Sequence, residues 1–176
     1  MATTMERLFE LSFTTSLPMG LIAMRLGAAC VFGFLIGIDR EMRQRPAGLR
    51  THMLTALAAA VFTIITFEFV SLMGGKADGT QLDPIRIVES VTSGVAFLAA
   101  GTIITHRGDI RGLTTGAGMW LAGAVGLACG AGFLTLALLG TAFALIILVP
   151  LRFLEVGISK ELPGRMKAKM DEAAND

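Results

Sequence analysis

The sequence predicts an all-α protein: a polytopic membrane helix bundle of about five transmembrane helices, built as two tandem helical hairpins in a parallel pseudo-repeat plus a fifth helix. Three observations predict it. Of the 176 residues, 53% are hydrophobic and 16% charged, and the mean hydropathy is +0.69, whereas soluble domains carry about 25% charged residues. The 40 residues from Gly112 to Leu151 contain no charge, enough for two helical crossings at about 20 residues each. Finally, Gly37, Arg43, Gly48, Leu49 and Thr51 recur 64 residues later as Gly101, Arg107, Gly112, Leu113 and Thr115, and residues 25–69 match 89–133 at eleven of forty-five ungapped positions. A duplicated hairpin places any functional site between its copies.

The first span is expected from Met19 to Ile38 and the second from Met53 to Phe69. The third should run from Pro84 to Ile104, started by Asp83, which can cap free amides, and by Pro84, which suits the first helical position. The fourth runs from Leu113 to Cys129 and the fifth from Phe133 to Leu151, split by the turn Gly130-Ala131-Gly132. Residues 1–18 precede this transmembrane domain, which spans 19–154, and a charged tail follows at 155–176. The start of the chain, with Glu6, Arg7 and Glu10, lacks a basic region and a small-residue cleavage site, so the first span is expected to be retained.

Positive residues fix the orientation. Arg40, Arg43, Arg45 and Arg50 fall in the first loop, Arg107 and Arg111 in the third, and Arg152, Lys160, Arg165, Lys167 and Lys169 in the tail, so eleven of fifteen lie on one side. That side reads as cytoplasmic, with the N-terminus outside and the C-terminus inside. The net charge of +1 averages two unlike faces and points to no nucleic-acid partner. Cys30 and Cys129 fall within apolar helices and read as small buried hydrophobes rather than a disulfide.

Helices in lipid associate through close contact of small residues. Gly33 and Gly37, Gly112 and Gly116, and Gly126 and Gly130 are such pairs, suited to packing within the chain or to the seam of a homodimer. Ionisable groups at membrane depth are costly unless paired or wetted. Arg25 and Glu89 occupy equivalent positions of the repeat, which predicts a salt bridge between them, or between Glu89 and Arg86 one turn earlier. Arg86, Glu89, Ser93, Ala96 and Ala100 share one helix face, expected to look into the bundle either as a buried ion pair or as a small polar cavity admitting a cation or proton.

The hinges carry a second constellation. Asp39, Arg40 and Glu41 close the first helix, Arg43, Arg45 and Arg50 follow, and Arg107, Asp109 and Arg111 come from the related loop. Arg50-Thr51 and Thr114-Thr115 begin the following helices, where free amides and the helix dipole favour anions. Six arginines against three acids make a poor magnesium site, since Mg²⁺ prefers carboxylates and water, and no metal or other cofactor is expected. The hinges either anchor the helices at the lipid bilayer and set topology, or bind an anionic lipid headgroup, a phosphate or an acidic protein. His52 and His106 are the only histidines and lie at these hinges without a neighbouring cysteine or serine motif, so no catalytic residue and no enzyme activity are expected.

At these residues the chain resembles the MgtC/SapB family of bacterial inner-membrane proteins. The resemblance rests on Gly33-Phe-Leu-Ile-Gly37-Ile-Asp39-Arg40-Glu41, Arg45-Pro46-Ala47-Gly48-Leu49-Arg50-Thr51, Ser93-Gly94-Val-Ala-Phe97-Leu98-Ala-Ala-Gly101 and Arg111-Gly112-Leu113-Thr114-Thr115, in family order over residues 22–155. It implies a role in adaptation to magnesium limitation and in survival of pathogens inside host cells, through restraint of a membrane partner such as the proton-driven ATP synthase. A transporter or channel passing Mg²⁺ or protons by Glu89 is the alternative. The family pattern has glycine at Ala96 and Ala100, glutamine at Ser90 and a small residue at Glu89, so the third helix departs from it. Many relatives continue into a soluble domain; the residues after the last span here are too few to bury a core, and no activity of that domain is expected.

Overall fold

The structure, a computed structural model, describes residues 15–45, 47–72, 85–106 and 109–148. Among them the chain forms α1 (Met19–Met42), α2 (Leu49–Leu72), α3 (Ile85–Gly101), α4 (Leu113–Ala131) and α5 (Leu134–Leu148), with two three-residue strands, β1 (Ile104–His106) and β2 (Asp109–Arg111), between α3 and α4. Helices α1, α2 and α4 are long and apolar enough to cross a membrane, with mean hydropathies of 2.2, 2.0 and 1.3, and α5 is a shorter apolar helix. The chain is a helical membrane bundle.

Helix ends depart from the hydropathy boundaries where polar groups continue the backbone pattern. α1 runs on to Met42 because Asp39 and Arg43 bond across one turn. α2 starts at Leu49, whose amide donates to the Glu41 carboxylate at 2.9 Å. α4 closes on Gly132 at φ 89°, and the following Phe133 amide reaches back to the Ala128 carbonyl at 2.8 Å, a turn that requires a left-handed residue and so a glycine. The expected start at Asp83-Pro84 and the tail at 155–176 lie outside the described residues. The third connection, expected as a plain loop, is an antiparallel hairpin pairing Ile104 with Arg111, Thr105 with Ile110 and His106 with Asp109.

Glycines set the packing. A Cβ on Gly33 would meet the His52 carbonyl oxygen at 2.8 Å, and one on Gly37 the Leu49 Cα at 3.0 Å, so α1 and α2 lie antiparallel in backbone contact. Gly116 faces the Ala99 carbonyl and Gly123 the Val95 side chain, which makes α3 and α4 the matching antiparallel pair. Between the pairs, Gly126 abuts the Ala56 carbonyl and Gly130 lies under Ala60 and Thr63. α2 and α4 therefore run parallel at the centre, as tandem copies must. The glycine pairs serve packing within the chain, around a core of Ala29, Ile36, Ala56, Ala60, Ala122, Val125 and Cys129. Buried Thr63 and Thr141 donate their hydroxyls to the carbonyls of Ala59 and Ala137, both at 2.8 Å, so each satisfies itself within its own helix.

The two halves are not packed equally. The repeat equates the α1–α4 contact with α3–α2, yet α1 packs closely on α4 whereas α3 barely touches α2. A groove of about 760 Å³ separates α2 and α3, lined on one side by Thr55, Phe62, Ile65 and Phe69 and on the other by Arg86, Ser90, Gly94 and Leu98. On the closed side α5 lies along both α1 and α4.

Candidate functional site

At the hinge between α1 and α2 the acids are consumed locally. Asp39 accepts two bonds from Arg43, at 2.6 Å from Nη2 and 3.0 Å from Nε, an arrangement set by their four-residue spacing. Glu41 turns to the start of α2, accepting from Leu49, and its carboxylate lies where a Cβ on Gly48 would stand. Glu41→Ala is expected to cost about 1 kcal/mol, as loss of an N-terminal cap does, measurable as a lower midpoint in denaturant titration of the purified protein.

Arg40 is the buried cation of the hinge, and its side chain forms no ion pair or hydrogen bond among the described residues. It is only 6% exposed, and its Nε is buried without a hydrogen-bond partner. His52, fully buried, sits on the facing turn of α2 with Nδ1 at 2.9 Å from the Gly48 carbonyl. A carbonyl only accepts, so Nδ1 carries the hydrogen and Nε2 is left for another partner. Nε2 faces Gly118 of α4, whose Cβ position lies 3.0 Å away, and has no bond. Arg45 and Arg50 are exposed. Thr51 occupies the first turn of α2, its carbonyl accepting from Thr55 at 2.8 Å, and Thr114 and buried Thr115 occupy that of α4. The parallel course of α2 and α4 brings these two helix starts to the same end of the bundle. Arg107 lies outside the described residues, and Arg111 is placed only by its backbone in β2.

The intramembrane set is corrected. Arg25 does not pair with Glu89: its Nη1 donates to the Gly130 carbonyl at 2.9 Å, and its guanidinium fills the space beside Gly132. The last carbonyls of a helix lack internal donors and carry the negative end of its dipole, so the end of α4 offers Arg25 a partner that the repeat alignment conceals. Arg86 and Glu89 form no ion pair with each other either, among the described residues. Arg86, Glu89, Ser93, Ala96 and Ala100 are all exposed, so this face of α3 looks outward rather than into the bundle. The inward positions are Val91, Val95 and Ala99, packed with Ala59, because apolar contact with α4 outweighs burying two charges without partners. Glu89→Gln is accordingly expected to leave the unfolding midpoint within about 0.5 kcal/mol of the parent.

Sequence reasoning missed Arg40 as a buried group, His52 as its neighbour, and Glu68, whose carboxylate accepts from the amides of Ser16 at 2.7 Å and Leu17 at 3.2 Å. The run Gly48 to His52 held a signal for the second: a histidine four residues after a glycine at a helix start can reach that glycine's carbonyl. Among the described residues no three side chains of metal-binding type gather.

The MgtC family profile matches residues 26–156. Protein MgtC of Brucella abortus is 38% identical over 135 residues, covering 77% of this chain and 53% of that protein. "Putative magnesium transporter YhiD" of Escherichia coli is 37% identical over 126 residues, covering 71% and 58%, and Protein SapB of Bacillus subtilis 36% over 149 residues, covering 84% and 62%. The chain thus spans between half and two thirds of the length of these relatives. No solved structure matches it.

Proposed function

The chain belongs to the MgtC family, and from that membership we propose that it is a non-enzymatic integral protein of the bacterial inner membrane, acting in adaptation to magnesium limitation by engaging a membrane partner. The family resemblance names the proton-driven ATP synthase as the partner to test. One observation carries the reading: the polar face of α3, with Arg86, Glu89 and Ser93, is turned outward beside the open α2–α3 groove. Charges that face hydrocarbon are costly, and a neighbouring protein that pairs them relieves the cost. Among the described residues Glu89 lies outside the interior, which is filled by Ala56, Ala60, Ala122 and Cys129.

The transporter reading has its own support in the printed name of the Escherichia coli relative. Two assays separate them. Purified protein in liposomes should pass neither Mg²⁺ nor protons above empty vesicles. ATP-driven proton pumping in inverted membrane vesicles should fall when the chain is present and recover with Glu89→Gln combined with Ser93→Phe, which alters the outward face without touching the core. Flux that depends on Glu89 establishes transport and removes the regulator, and pumping indifferent to the chain removes the ATP synthase as its partner.

A further inference from the structure

We propose that the hinge end of the bundle holds a phosphate group, bound by Arg40. The inference stands apart from the partner reading and rests on charge and burial. A guanidinium this deeply buried is costly unless an anion accompanies it. The nearest carboxylate, Asp39, is already bonded to Arg43, and Glu41 is bonded to the Leu49 amide. Asp39 relieves part of the cost, while Arg43 and Arg45 add positive charge around Arg40, so one carboxylate is shared among several cations.

The packing of α1 on α2 sets the level of Arg40. Gly33, Ile36, Gly37 and Arg40 make the buried face of α1. Gly37 rests on the His52 Cβ, its own Cβ position 3.0 Å away, so Arg40 follows one turn on, at the level where α2 begins. His52 is within electrostatic reach of Arg40, while its unbonded Nε2 faces Gly118 of α4. A phosphate oxygen can accept from the Arg40 Nε–H, which has no partner in the chain. The guanidinium fork matches two oxygens of the same group. The phosphate has two sources with this one chemistry, a headgroup of the adjoining leaflet or a soluble phosphate.

The test uses the full chain in detergent, with inorganic phosphate as the first probe and chloride at equal ionic strength as its control. Phosphate should raise the unfolding temperature saturably, chloride should not, and the Arg40 Nε–H resonance of ¹⁵N-arginine protein should shift with the same midpoint. Arg40→Gln should weaken that response about tenfold or more, the loss of a bidentate charged contact. Arg45→Gln, at an exposed neighbour, should retain it. Where Arg40→Gln does not fold, the Arg40 resonance of the parent protein decides: a saturable shift supports the site and its absence overturns it. The second probe is nanodiscs of phosphatidylglycerol against phosphatidylcholine. An Arg40 resonance shifted by phosphatidylglycerol and indifferent to added phosphate supports the headgroup source, and displacement by free phosphate supports the soluble one. A phosphate response undiminished in folded Arg40→Gln, or matched by chloride, overturns the proposal.

Discussion

Gly126→Ala is expected to destabilise the bundle by about 3 kcal/mol or more, and Gly126→Val to prevent accumulation of folded protein. The added methyl group would overlap the Ala56 carbonyl, a backbone atom that cannot rotate away. Overpacking of a well-filled core costs about 1–3 kcal/mol where side chains can adjust, and here the adjustment must separate α2 from α4. Those helices are the central contact of the fold, so the loss spreads to α1 and α3, which pack against them. Gly27→Ala supplies the contrast. Its Cβ meets nothing within 4 Å, and alanine in a helix is favoured over glycine by about 0.5–1 kcal/mol. Denaturant titration of the two variants should shift in opposite directions, and equal midpoints would mean that α2 and α4 do not touch as described.

Arg25→Met is expected to cost about 2 kcal/mol, with Arg25→Lys recovering part of it. A hydrogen bond from a charged donor is worth about 1.5–3 kcal/mol, and the Gly130 carbonyl it serves lies in the last turn of α4, where replacement donors are scarce. Lysine keeps the charge near the dipole but loses the planar fork that fits beside Gly132. Methionine keeps the stem's apolar packing, so the comparison isolates the polar head. The same denaturant titration checks it. A midpoint for Arg25→Met equal to that of Glu89→Gln would show that Arg25 does not hold the end of α4.

Backbone contact between helices demands small residues at fixed positions, and Gly33, Gly37, Gly116 and Gly126 record those contacts directly in the chain, although of these only Gly37 recurs across the repeat, as Gly101, which meets nothing within 4 Å. Five helices followed from hydropathy, though their ends did not: Glu41 and Arg43 extend order past the apolar stretch by bonding to Leu49 and Asp39. The α3 face misled for a physical reason. Spacing shows which residues share a face but not which way it turns, and the decision lay with Val91, Val95 and Ala99 on the opposite side, whose contacts with α4 and α2 are worth more than enclosing Arg86 and Glu89. Arg25 misled similarly, since a backbone carbonyl freed at a helix end leaves no mark in a side-chain alignment. Arg40 looked like one more member of a basic cluster. Only the bonds that occupy Asp39 and Glu41 single it out.

The unequal closure of the two halves has a consequence for symmetry. A duplicated protein with both flanks alike would offer two identical docking edges and invite chains of molecules, each linking the next. Here, among the described residues, α5 and the tight α1–α4 seam cover one flank, whereas the α2–α3 edge stays open. The two flanks therefore present unlike surfaces, and the duplication of the hairpins does not carry over into two equivalent edges.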